Sequence, residues 1–137
     1  MTKIKHTSHA RYDLWYHIAW CTKYRKHIFV NPITKEEVKT LFRNIANHYE
    51  MDTSEVNCLS DHVHFSISAP PRIAPAQIVQ ILKSVSTKIL FQKFKWLKNE
   101  YWGGEVWAGG YFVRSVGKGI TKEQIDKYVR EQSEEIG

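Results

Sequence analysis

The stretch Asp61-His62-Val63-His64-Phe65-Ser66-Ile67-Ser68 alternates polar and apolar residues with a period of two, the signature of a half-buried β-strand. Val63, Phe65 and Ile67 fall on one face; His62, His64, Ser66 and Ser68 fall on the other. Two imidazoles therefore stand on the polar face, about 7 Å apart along the strand. That spacing suits two ligands of one metal ion. A chain with seven histidines can also produce a His-x-His pair by chance, so the pair needs support from elsewhere.

The support lies near the C-terminus. Thr121 with Gln124 three residues on reads as a capping box, which starts a helix. Tyr128 and Gln132 are then at i and i+4 and share a helix face, so a phenol hydroxyl and an amide oxygen are presented together. Ile125 and Val129 form the apolar stripe beside them. Before this helix, Gly117-Lys118-Gly119 reads as a flexible joint or a plain turn.

Outward from the His strand, the remaining elements fall into a regular order. Tyr12 to Cys21 alternates and reads as a first, central strand. Thr34 and Glu37 form a capping box that opens a helix with the stripe Val38, Leu41, Phe42, Ile45 and Tyr49. Thr53 to Leu59 reads as a strand that turns at Ser60-Asp61 into the His strand. Pro75 opens a second helix, striped by Ile78, Leu82, Val85 and Ile89. Trp96 to Gly104 is a connector, and Val106 to Arg114 is a last strand interrupted at Gly109-Gly110. Residues 1–11 read as a disordered basic arm. The order β-α-β-β-α-β with an extra C-terminal helix predicts an α+β fold, ferredoxin-like or RRM-like, with an antiparallel sheet. The expected organisation is one domain over 1–137, with a core over 12–116 and a terminal helix over 121–135.

Twenty basic and 14 acidic residues give a net charge of +6, which favours a polyanionic partner. Aromatics make up 13% of the chain, and rings interleaved with lysines suit single-stranded nucleic acid. The cluster Lys23-Tyr24-Arg25-Lys26-His27 and the helix lysines, including Lys83 and Lys88, are candidate backbone contacts. The two cysteines, Cys21 and Cys58, have no metal-type spacing and read as reduced thiols, so a cytoplasmic protein is expected. No run approaches the length of a membrane span.

Together these segments resemble the HUH endonuclease superfamily, and more closely its small one-tyrosine transposases of the TnpA type. Trp15-Tyr-His-Ile-Ala-Trp-Cys-Thr-Lys-Tyr24-Arg25, Asp61-His-Val-His64, Tyr111-Phe-Val-Arg-Ser-Val-Gly117 and Tyr128-x-x-x-Gln132 carry the likeness, in the family's order and at its length. The resemblance implies that His62, His64 and Gln132 hold a divalent metal, Mg²⁺ or Mn²⁺, and that Tyr128 is the nucleophile. It implies single-stranded DNA with hairpins at the ends of a mobile element, and a homodimer in which Tyr128 serves its own or the partner's site. It also places Arg114 in a matching segment, as a further candidate DNA contact. The expected reaction leaves a 5′-phosphotyrosine and a free 3′-hydroxyl and needs no nucleotide cofactor. Asp61 could support a histidine from behind, although a turn-forming role is the simpler reading. The competing readings are a related HUH nickase and a non-catalytic RRM-like binding module. The latter would place aromatics on the outward middle-strand positions, where this chain has His62 and His64.

Overall fold

The computed structural model describes residues 4–116 and 126–131. Its elements are β1 (Lys5–His6), β2 (Arg11–Tyr12), β3 (Trp15–Cys21), α1 (Pro32–His48), β4 (Asp52–Cys58), β5 (His62–Ser68), α2 (Pro75–Lys93), the short α3 (Leu97–Glu100) and β6 (Phe112–Ser115). A further helical segment runs over 126–131. Four strands form one sheet in the order β4-β5-β3-β6, and every neighbouring pair is antiparallel. This is the ferredoxin-like α+β arrangement, with β5 and β3 in the middle.

Alternation along these strands sorts the sheet into two faces. Ile18, Trp20, Val56, Val63, Phe65 and Ile67 point to one face and join Val38, Phe42 and Ile45 of α1 and Ile78, Leu82 and Leu90 of α2 in a single buried cluster. Rings dominate its centre. Phe42 packs edge-on to Phe65 at 4.8 Å and to Trp20 at 5.9 Å, and Trp107 meets Trp20 at 5.9 Å. Edge-to-face pairs of this kind add about 0.5–1.5 kcal/mol each beyond the area they bury.

Local chemistry moves several expected boundaries. Helix α1 starts at Pro32, two residues before Thr34, because Asn31 caps it by accepting the Ile33 N–H at 2.8 Å; Asn at the cap and Pro at the first helical position outcompete the later capping box. Residues 5–12 are a small hairpin, not a disordered arm. Thr7 Oγ1 accepts from the Ala10 N–H at 3.1 Å, the Thr7 N–H donates to the Ala10 carbonyl at 2.7 Å, and Lys5 pairs with Asp52. Tyr12 belongs to that hairpin, so the central strand begins at Trp15. The last strand is confined to four residues. Upstream of it, Trp107 only bridges Thr22, and Val106 and Ala108 pair with the end of β3 and the loop after it. The connector holds a short helix that was not anticipated. Gly117-Lys118-Gly119, the Thr121/Gln124 cap and Ile125 lie outside the described residues.

Candidate metal and nucleophile site

The second face of the sheet is where the polar positions gather. Register places His62 opposite Cys21, His64 opposite Ala19 and Ser66 opposite His17 across β5 and β3. Asn57 lies opposite His64 on β4, and Phe112 lies opposite Ala19 on β6. One row across the sheet therefore reads Asn57, His64, Ala19, Phe112. The His62 and His64 rings stack at 5.9 Å with planes 22° apart, as alternate positions of one strand should.

Each histidine has its own partners on this face. His62 Nδ1 lies 2.9 Å from Asp61 Oδ1. Asp61 is buried, and its other oxygen, Oδ2, accepts from Arg25 Nε at 2.6 Å. Burial alone would push the Asp61 carboxyl up, but the hydrogen bonds from His62 and Arg25 outweigh it and hold the group at about 2. Burial lowers His64, and so does the neighbouring His62, while Glu55 and Asp126 pull the other way. His17, 3.1 Å from Ser66 Oγ, is also lowered by burial. Neutral imidazole is the form that binds a metal.

The helical segment 126–131 packs on this same face. Val129 is buried with Cys21 and Ala108, and Tyr128 packs against that cluster. The Tyr128 ring lies 5.5 Å from Phe112. Since Phe112 and His64 flank Ala19, the tyrosine sits over a position two strand spacings, about 10 Å, from the His pair.

The donor set fits a divalent ion. Two imidazoles, one oriented by a carboxylate, supply nitrogen ligands and leave positions for phosphate oxygens and water. Among the described residues no three His, Cys, Asp or Glu side chains converge, so a third ligand of another type is needed. Gln132, the expected one, lies outside the described residues.

The candidate DNA contacts divide sharply. Lys23 pairs with Glu105, and Lys26 with Glu100 at 3.3 Å. Arg25 is engaged by Asp61. Lys83 turns inward: its ammonium donates to the carbonyls of Ala108 and Gly110 at 2.6 and 2.9 Å and lies over the Trp20 ring at 5.6 Å. Lys88 is exposed on α2. Arg114 lies opposite His17, on the histidine face. Sequence reasoning missed Asn57 and His17 on this face, because strand register is not visible before pairing is known. It also undervalued Asp61 and Arg25, which are 36 residues apart in the chain.

A family model for IS200-like transposases matches residues 10–132. The chain belongs to the IS200-like transposase family. It is 34% identical to the ISDra2 transposase TnpA of Deinococcus radiodurans over 121 residues, covering 88% of this chain and 85% of that one. It is 31% identical to the transposase for insertion sequence element IS200 of Salmonella typhimurium over 131 residues, covering 96% and 84%. The crystal structure of a candidate transposase from Deinococcus radiodurans superposes with a TM-score of 0.82 at 31% identity, covering 93% of this chain and 97% of that one. The structure of a REP-associated tyrosine transposase bound to a REP hairpin shares the fold at a TM-score of 0.50 and 10% identity, covering 90% and 68%. Membership makes this IS200-like chain a transposase, a DNA-processing enzyme. Among its described residues no helix is long and apolar enough to cross a membrane.

Proposed function

We propose that this IS200-like transposase cuts and rejoins single-stranded DNA at the ends of its element through a 5′-phosphotyrosine at Tyr128. The observation that carries the proposal is the shared face: the helix bearing Tyr128 rests on the same side of the sheet as the stacked His62 and His64. A divalent ion, Mg²⁺ or Mn²⁺, held by His62 and His64 with Gln132 as third ligand, would draw charge from the scissile phosphate and stabilise the departing 3′ oxygen.

In this reading the nucleophile comes from the chain itself. Tyr128 Oη attacks the phosphorus, the bond from phosphorus to the 3′ oxygen breaks, the downstream strand stays on the tyrosine through its 5′ phosphate, and the upstream strand leaves with the 3′ oxygen. The proton lost by the phenol is balanced by the one taken up by the 3′ oxygen. The phosphodiester energy is kept in the new ester, so a second 3′-hydroxyl can reverse the step and join new ends without ATP. Hairpins at the element ends are the natural substrate of this reading, and a homodimer lets Tyr128 act in its own site or in the partner's. Arg114 on the histidine face is the best-placed candidate for a flanking phosphate.

The test mixes protein with labelled single-stranded DNA from the element ends, with Mn²⁺ or with EDTA. A denaturation-resistant adduct is expected with metal only. Tyr128→Phe should abolish it, and His64→Ala should reduce it by about 100-fold or more, the scale of losing a charge-stabilising group. An adduct that survives Tyr128→Phe would assign the chemistry to another residue.

A further inference from the structure

We propose that Arg25, Asp61 and His62 form a positioning relay, and that the loop after β3 exists in its strained form to hold it. This inference rests on the metal-binding role proposed for His62. It assigns Arg25 to the metal site and not to the DNA backbone.

The hydrogen-bond logic allows one arrangement. A guanidinium can only donate, and an ionised carboxylate can only accept. Arg25 Nε takes Asp61 Oδ2 at 2.6 Å, and His62 Nδ1 takes Oδ1 at 2.9 Å. His62 must therefore carry a proton on Nδ1, so the nitrogen that can offer a lone pair to a metal is Nε2, on the side of the ring away from Asp61. The guanidinium balances the carboxylate's charge and stops Asp61 from swinging toward solvent.

The loop explains how Arg25 comes to be there. Tyr24 and Arg25 are consecutive non-glycine residues in the left-handed region, at φ 59° and 52°. Such backbone persists only where its surroundings impose it, and here they do. The Lys23 N–H donates to the Val106 carbonyl at 2.7 Å, and Tyr101 Oη donates to the Lys23 carbonyl at 2.8 Å. Thr22 Oγ1 donates to the Lys26 carbonyl at 2.7 Å, and the Thr22 N–H donates to the carbonyl of Asp61 itself at 2.9 Å. Asp61 is thus gripped by its main chain from Thr22 and by its side chain from Arg25. The left-handed pair turns the chain back so that Arg25 reaches it.

Three variants of the full chain test the relay: Arg25→Gln, Arg25→Lys and Asp61→Leu. In the metal-free protein, ¹⁵N shifts of the His62 ring report which nitrogen bears the proton, and Mn²⁺ titration reports affinity. Wild type and Arg25→Lys should show the Nδ1-protonated ring and similar Mn²⁺ affinity. Arg25→Gln should lose about 10-fold in affinity and Asp61→Leu more, within the 10–100-fold range for removing a partner behind a metal ligand. Asp61→Leu should also mix the tautomers. Unchanged tautomer and affinity in both Arg25→Gln and Asp61→Leu would overturn the relay. So would an affinity loss in Arg25→Lys as large as in Arg25→Gln with the circular-dichroism spectrum altered in both, since the arginine would then serve the loop fold alone. If wild type takes up no Mn²⁺, the metal reading of the site falls, while the ring tautomers in the metal-free protein still decide the relay.

Discussion

The two faces of the sheet are built from the same strands and finished in opposite ways. Toward α1 and α2 the apolar positions join one buried cluster, where Trp20, Phe42, Phe65 and Trp107 are linked ring to ring and Phe29 joins them through Trp107. Toward the histidines, the described cover is a six-residue helical segment whose buried contacts come down to Val129 on Cys21 and Ala108, with Tyr128 on Phe112. One face supplies the stability. The other stays polar and carries the stacked His pair; in the proposed reaction it is where a nucleic-acid strand and the Tyr128 phenol would meet.

That contrast can be broken from either side. Phe42→Ala should cost about 3–5 kcal/mol of global stability, as core phenylalanine truncations do, read as a fall in the urea midpoint with the slope unchanged. A cost near that of a surface substitution would mean that the ring network is not the stabilising core. Val129→Ala removes two carbons at about 0.8 kcal/mol each, so a loss of about 1.5 kcal/mol is expected. It should fall on the terminal helix, seen by hydrogen exchange at residues 126–131 with the protection of β3 and β5 retained. If β3 and β5 lost protection too, the two faces would be one cooperative unit.

The smallest effect compares the two thiols. Burial pushes Cys58 up to about 12 and Cys21 up to about 11, so neither should react as a thiolate in the closed protein at pH 8. Cys58 lies in the ring-rich core and Cys21 beneath the terminal helix. Maleimide should therefore label Cys21 first, by about tenfold, the factor that 1.4 kcal/mol of easier local opening supplies. Equal rates would show that both faces open together.

Much of this was legible before any coordinates. The period-two alternation of residues 62–68 carries the central strand, its register-defining apolar face and the His pair at once. The proline at position 75 and the stripe after it mark α2 with little ambiguity. What stayed hidden depended on pairing between distant segments. Lys83 looks like one of a solvated row, yet its ammonium holds two carbonyls 25 and 27 residues away. Arg25 sits in a basic cluster that suggests phosphate, but its partner is decided by a left-handed loop and a buried aspartate. Asn31 was overlooked as a cap because a conventional capping box follows it three residues later. The N-terminal hairpin has only two residues per strand, too few for any periodicity to show.

The bend between β4 and β5 has a consequence for anyone who wishes to modify this protein. Within three residues, 59–61, it presents the Ser60 carbonyl to the Phe29 N–H, the Asp61 carbonyl to Thr22 and the Asp61 carboxylate to Arg25 and His62. No residue can be added there without breaking one of these. The segment around Trp102 offers the reverse: Trp102 is 91% exposed, and a side chain at Gly103 would meet nothing within 4 Å. A fluorophore, an affinity handle or a fusion partner belongs on that outer segment, and the bend should be left as it is.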